Sequence, residues 1–328
     1  MFSEGTLDVI RSFDPAGESA GQPPSESAAS NVTTPPPTRC RKEKLFGTIR
    51  YRIFRPRQLH MLPAPLVVIH GGPGVPSNYL MNLVNVITDR TVIFYDQLGC
   101  GRSSRLAEKE AYSVEFSVDD LRALLNHWKL KNYHLFGHSF GGIVAFEFLK
   151  QEASPTASDG GDNNMTIDKN KGNSCLSLIL SSVPTETKLV ESESKRLLQD
   201  IRDVGCEGDR VAVTFSQTHE CRVIPTPLAL LDAYAQAGSA LWRGISAVPT
   251  YKAEIPTLEG VPPQQLNTPC CILRGQYDFA TESCVEGWNR LFANAQSTVL
   301  AGCSHHGLLE NEQLYGDVVL SFLEDQDL

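Results

Sequence analysis

Residues 134–148 read HLFGHSFGGIVAFEF, with Gly137, Ser139 and Gly141 on alternate positions between two apolar, aromatic-rich runs. The run before Ser139 has the form of a short buried strand, and the run after it is helical. A G-x-S-x-G pattern at that junction is a nucleophile elbow: a strand-to-helix turn too tight for large neighbours, which lifts the serine hydroxyl clear of the sheet end. The motif is short, and by itself it also describes a glycine-rich helix start. Its place between a strand and a helix is what favours the elbow.

Working outward, the same rhythm repeats. APLVVIHGGPG (64–74), RTVIFYDQLGCGRS (90–103), CLSLILSSVP (175–184), TPCCILRGQYDFA (268–280) and QSTVLAGCSHH (296–306) are apolar runs that end in loops, mostly glycine-bearing. Helical stretches such as SVEFSVDDLRALLNHWKL separate them. Continuous apolar strands alternating with helices predict a mostly parallel sheet covered on both faces, with functional groups at the carboxyl ends of the strands. The rhythm stops between about Pro184 and Leu266, where SESKRLLQDIRDVG and PLALLDAYAQAGSALWRGI read as helices among prolines and glycines. This predicts a helical lid over 184–266, inserted between two parts of one core, 45–183 and 267–328.

Residues 1–44 are dominated by Ser, Pro, Gly, Ala and Thr and are expected to form a disordered tail. Residues 151–174 are a polar low-complexity loop. From Leu45, LFGTIRYRIFRP alternates as a strand does.

Composition limits the function classes. The 328 residues are 41% hydrophobic and 20% charged, enough apolar material for one large core. A net charge of -9 argues against nucleic-acid binding, which needs a basic surface. No run approaches eighteen apolar residues and no signal peptide is evident, so a cytoplasmic protein that does not span the membrane is expected. Nine scattered cysteines without a C-x-x-C pair suggest buried apolar residues rather than a metal or redox site. The glycosylation patterns at Asn31 and Asn164 carry no weight without a secretory route. No metal or cofactor is expected, and the oligomeric state is left open.

A serine hydroxyl is a weak nucleophile at neutral pH and needs a base. In this architecture an acid and then a histidine follow at later strand ends. Asp278 stands just past one strand, and His305 and His306 just past the next. Backbone donors for a developing oxyanion would be the N–H of Phe140 and a donor from HGGPG, where glycines allow close approach. Phosphate binding by that loop is disfavoured, because neither G-K-[ST] nor G-x-G-x-x-G is present.

Together, HGGPG at 70–74, DQLGCGRS at 96–103, GHSFGG at 137–142, GQYD and GCSHH resemble the proline iminopeptidase (prolyl aminopeptidase) family of α/β-hydrolases over about residues 45–328. The resemblance implies an α/β-hydrolase fold, with Ser139 as nucleophile, Asp278 as orienting acid and His305 as base. His305 is preferred to His306 because the family's histidine follows a small residue. Gly72 and Phe140 would be oxyanion donors, Gly71 and Gln97 would border the substrate, and Asp96 would shape the site. The implied activity is a serine hydrolase that releases N-terminal proline or small apolar residues from peptides. Family members hold the substrate's amino terminus with lid acids. Here FSQTHECR (215–222) is similar to a lid segment, but the position a few residues upstream is Arg210, which leaves Glu207, Glu220 and Glu254 as substitutes. An amidase or esterase acting on a small metabolite, and a non-catalytic ligand-binding homologue, are the alternatives.

Overall fold

The computed structural model describes residues 1–13, 43–57, 62–153, 174–238, 248–255 and 265–327. Eight strands form one sheet: β1 Phe2–Phe13, β2 Glu43–Phe54, β3 Leu66–Ile69, β4 Val92–Asp96, β5 Asn132–His138, β6 Ser174–Ser181, β7 Cys270–Gly275 and β8 Ala295–Leu300. Their order is β1-β2-β4-β3-β5-β6-β7-β8. β2 runs antiparallel to β1 and β4, and every pair from β4 to β8 is parallel. All six parallel strands therefore end on one side, where their loops converge.

The apolar runs are continuous because both faces are covered. In β3, Val67 and Ile69 enter one core cluster while Leu66 and Val68 enter the other. The first cluster holds α2 (Val114–His127) and α3 (Phe140–Ala153); the second holds the short α1 (Leu83–Val86) and the helix Glu312–Glu324. Ser113 caps α2 by accepting from the Phe116 N–H, and Asn311 caps the last helix through Leu314. Between β7 and β8 lie two short helices, Glu282–Val285 and Trp288–Leu291. Six of the cysteines are buried, and none of those described is paired.

Between β6 and β7 the described residues are helical: α4 (Thr187–Asp203), α5 (Arg210–Phe215), a π-helical turn Ser216–Glu220 and α6 (Leu228–Ala235). The remainder of the PLALLDAYAQAGSALWRGI reading, the glycosylation patterns and most of the 151–174 loop lie outside the described residues. No helix of the described residues is long and apolar enough to cross a membrane.

The tail assignment is corrected for its first residues. Phe2–Phe13 pairs with Glu43–Phe54 along its whole length; residues 14–42 are not described. The strand alternates strictly, with Val9 and Arg11 buried and their neighbours exposed. Arg11 donates to Ala111 O at 3.0 Å and meets the Asp120 carboxylate at 2.5 Å, with both side chains buried. Burial pushes the Asp120 carboxyl up to about 6, so at pH 7 it is ionised and depends on Arg11. Deleting residues 1–13 strands that charge, a loss of about 3–5 kcal/mol. The urea midpoint at pH 7 is expected to fall accordingly, and by less near pH 5, where Asp120 can protonate. An unchanged midpoint would refute this role for the strand.

Candidate active site

Ser139 sits in the turn between β5 and α3 with φ of 50°, the left-handed conformation of a sharp elbow. The flanking glycines are required by space. A Cβ on Gly137 would lie 2.4 Å from Gly142 Cα, and one on Gly141 would lie 2.1 Å from Ile69 O. Ser139 is half-buried, its N–H donates to Ser181 O at 2.9 Å, and among the described residues its hydroxyl forms no hydrogen bond. Phe140 opens α3, so its N–H has no acceptor within the helix.

Asp278 and His305 come together from the loops after β7 and β8, with His305 Nδ1 2.9 Å from Asp278 Oδ1. Asp278 is wholly buried, and the same Oδ1 accepts from the Ala280 N–H at 2.8 Å, while Oδ2 has no partner among the described residues. Two donors converging on one oxygen hold the carboxylate against the ring. The neighbouring Phe279 stacks on His305, centroids 4.1 Å apart. His306 takes no part in this pair: it stacks on His138 at 5.5 Å and its Nε2 lies 3.2 Å from Tyr234 Oη. Burial holds its pKa well below that of free imidazole.

The HGGPG loop closes as a turn through Val75 N–H to Gly71 O. Gly72 has φ of 120°, and a Cβ there would lie 2.5 Å from Gly74 N, so the position needs glycine. Gly71 lies against the elbow, since a Cβ on it would lie 2.9 Å from Ser139 Cβ. Its N–H, however, is spent on Tyr79 Oη at 2.9 Å. The donors of Gln97 are likewise committed: its N–H donates to His70 Nε2 at 2.9 Å and its amide N–H to His70 O at 2.8 Å, while its Oε1 is buried with no partner among the described residues. A bare Nε2 places the His70 proton on Nδ1, where it meets Gly71 O at 3.0 Å, and burial keeps this ring neutral. Asp96 accepts from the Ser77 N–H and hydroxyl, bracing the loop from below.

The inter-strand helices reach both loops. His305 N–H and His306 N–H donate to His219 O and Glu220 O, and Gly238 N–H donates to Gly74 O. Of the acids considered between β6 and β7, Glu220 accepts from the Ser216 hydroxyl, Glu254 pairs with Lys252 at the surface, and Glu207 is exposed, as is Arg210. Sequence reasoning missed Tyr79, His138 and Phe279, of which only His138, inside the elbow motif, carried a signal. Among the described residues no group of three or more His, Cys, Asp or Glu side chains is placed to hold a metal ion.

Comparison with known proteins agrees with this architecture. Residues 64–158 match the model of the α/β hydrolase fold family. A proline iminopeptidase of Thermoplasma volcanium is 27% identical across 80% of this chain and 89% of its own length. The enzyme of that name from Lactobacillus delbrueckii subsp. lactis is 28% identical across 80% and 91%. The crystal structure of proline iminopeptidase from Mycobacterium smegmatis superposes with a TM-score of 0.68 at 24% identity, covering 86% of this chain and 96% of that one, a likeness of fold.

Proposed function

Since the chain has the α/β-hydrolase fold and is similar over most of its length to proline iminopeptidases, we propose that it is a serine hydrolase that releases N-terminal proline or other small apolar residues from peptides. The observation that carries this reading is the buried Asp278–His305 pair at 2.9 Å, seated against the elbow that bears Ser139: the His138 ring, one residue before the serine, lies 4.8 Å from the His305 ring.

In the proposed reaction Ser139 Oγ attacks the scissile carbonyl as His305 Nε2 takes its proton. Asp278 holds Nδ1–H and stabilises the imidazolium. The oxyanion is met by the N–H groups of Phe140 and Gly72. His305 then gives the proton to the leaving amine, and a water molecule, deprotonated by the same nitrogen, frees the acyl group. The helices over 184–266 would act as a lid that selects the substrate.

One observation favours a second reading. Glu207 and Glu254 face solvent and Glu220 is engaged with Ser216, so none of these three glutamates stands as a buried, unengaged carboxylate ready for a substrate ammonium group. An amidase or esterase for a small metabolite would use the same machinery without one.

A matched panel separates them: Pro-, Ala- and Leu-naphthylamides with free amines, their N-acetylated forms and a short-chain nitrophenyl ester. The aminopeptidase reading expects turnover of free Pro-naphthylamide that acetylation abolishes. Ester turnover indifferent to an amine would support the second reading. No turnover, with no fluorophosphonate labelling at Ser139, would refute both.

A further inference from the structure

A buried chain of hydrogen bonds joins the two loops that the proposed reaction uses, and its directions are fixed by chemistry. Gly71 N–H can only donate, so Tyr79 Oη accepts it at 2.9 Å. The His305 carbonyl can only accept, so His138 Nε2, 3.0 Å away, carries a hydrogen. A neutral ring then leaves His138 Nδ1 bare, and Tyr79 Oη, 2.9 Å from it, donates its single proton there. One arrangement satisfies every member: Gly71 N–H to Tyr79 O–H to His138 Nδ1, and His138 Nε2–H to the His305 carbonyl.

We propose that Tyr79 and His138 are positioning residues that lock the oxyanion loop and the base loop to each other as one unit. The proposal rests on the serine hydrolase reading above, because it assigns these residues to the geometry of that reaction. Neither takes part in the proton transfers of that reaction. Tyr79 acts through the Gly71 peptide, whose neighbour Gly72 would supply an oxyanion donor. His138 acts through the backbone of His305, and it is itself the residue before Ser139. Nucleophile, base and oxyanion donor thus share one rigid connection.

The surroundings hold the relay in this state. Tyr79 and His138 are 2% and 3% exposed. Burial, helped by the neighbouring His305, pushes the His138 pKa down to about 3, so the ring stays neutral at any working pH. Burial also raises the Tyr79 hydroxyl, which keeps its proton. The rings of Tyr79 and His138 meet edge to face at 5.2 Å, and His306 packs on both. An apolar pair in this space would leave the buried Gly71 N–H without its acceptor and the His305 carbonyl without its His138 donor, so the chain also holds both loops by polar satisfaction.

The test uses the full-length protein. Wild type is first labelled with a fluorophosphonate and its kcat and KM are measured on the best substrate of the panel. Tyr79→Phe removes one oxygen and both of its bonds. It is expected to lower kcat about 10- to 100-fold with KM within twofold, the scale of a small misplacement of reacting groups. His138→Gln, whose amide N–H reaches the His305 carbonyl, and His138→Asn, whose amide oxygen reaches Tyr79, should each recover about half of the logarithmic loss seen in His138→Ala. In the His138→Ala background, Tyr79→Phe should cost less than a further twofold, because the chain is already broken. The relay is overturned if the single variants keep kcat within twofold, if the losses in the double variant multiply, or if the loss vanishes once rates are corrected for the folded fraction. A wild type that takes no label at Ser139 instead sinks the hydrolase reading itself; labelled wild type with unmoved variants sinks the relay alone.

Discussion

Ser139→Ala is expected to lower kcat by roughly 10⁵-fold or more while leaving the thermal midpoint within a few degrees of wild type. The size follows from the proposed mechanism, in which without Oγ there would be no acyl-enzyme, and what remained would be binding and polarisation of the carbonyl by Phe140 and Gly72. The small effect on stability follows from the elbow. The left-handed φ of 50° is a strain on any residue with a Cβ, which alanine shares with serine. The hydroxyl makes no hydrogen bond among the described residues, and the N–H that bonds Ser181 is kept. Steady-state hydrolysis, fluorophosphonate labelling and thermal unfolding check the three parts. Residual activity above about a hundredth of wild type would mean that another group carries the attack.

Asp278→Asn is expected to cost about 10³- to 10⁴-fold in kcat, with KM little changed. His305 Nδ1–H and Ala280 N–H both converge on Oδ1, so the asparagine oxygen occupies that place and the correct histidine tautomer survives. Two things are still lost. The negative charge that stabilises the imidazolium is gone, and the new NH₂ lands where Oδ2 already lacks any partner, leaving a buried donor unsatisfied. The measurement is kcat and KM against pH, together with the unfolding midpoint, which should drop by the cost of that donor, about 1–3 kcal/mol. Activity within tenfold of wild type would show that the carboxylate serves packing and not the reaction.

The sheet was legible because burial on both faces writes itself as uninterrupted apolar runs. Leu66–Ile69 and Val92–Asp96 could be read directly as strands ending in loops. Chain order then placed Asp278 and His305 at later strand ends. The first strand was overlooked for a physical reason. Its inward residues include Arg11, a charge that reads as solvent-facing until Asp120, 109 residues away, is seen to meet it. The Ser- and Pro-rich stretch that follows then dominated the composition of the whole segment.

What the sequence by itself determined was therefore periodic or local: the parallel core, the elbow with its obligatory glycines, and the order of serine, acid and histidine. Strands and turns are set by residues within one element, where spacing alone dictates which face is buried and which turn is allowed, and the order of serine, acid and histidine is read directly along the chain. What only the tertiary structure decided was pairing between distant elements. His305 and His306 are adjacent in sequence and alike in chemistry, yet only His305 meets Asp278, because the loop after β8 turns one ring toward that carboxylate and the other toward His138 and Tyr234. The same holds for Gly71 and Gln97, whose N–H donors are claimed by Tyr79 and His70. A hydrogen bond is directional and short-ranged, so its partner is settled by where the folded chain brings each donor, and no spacing along the sequence encodes that.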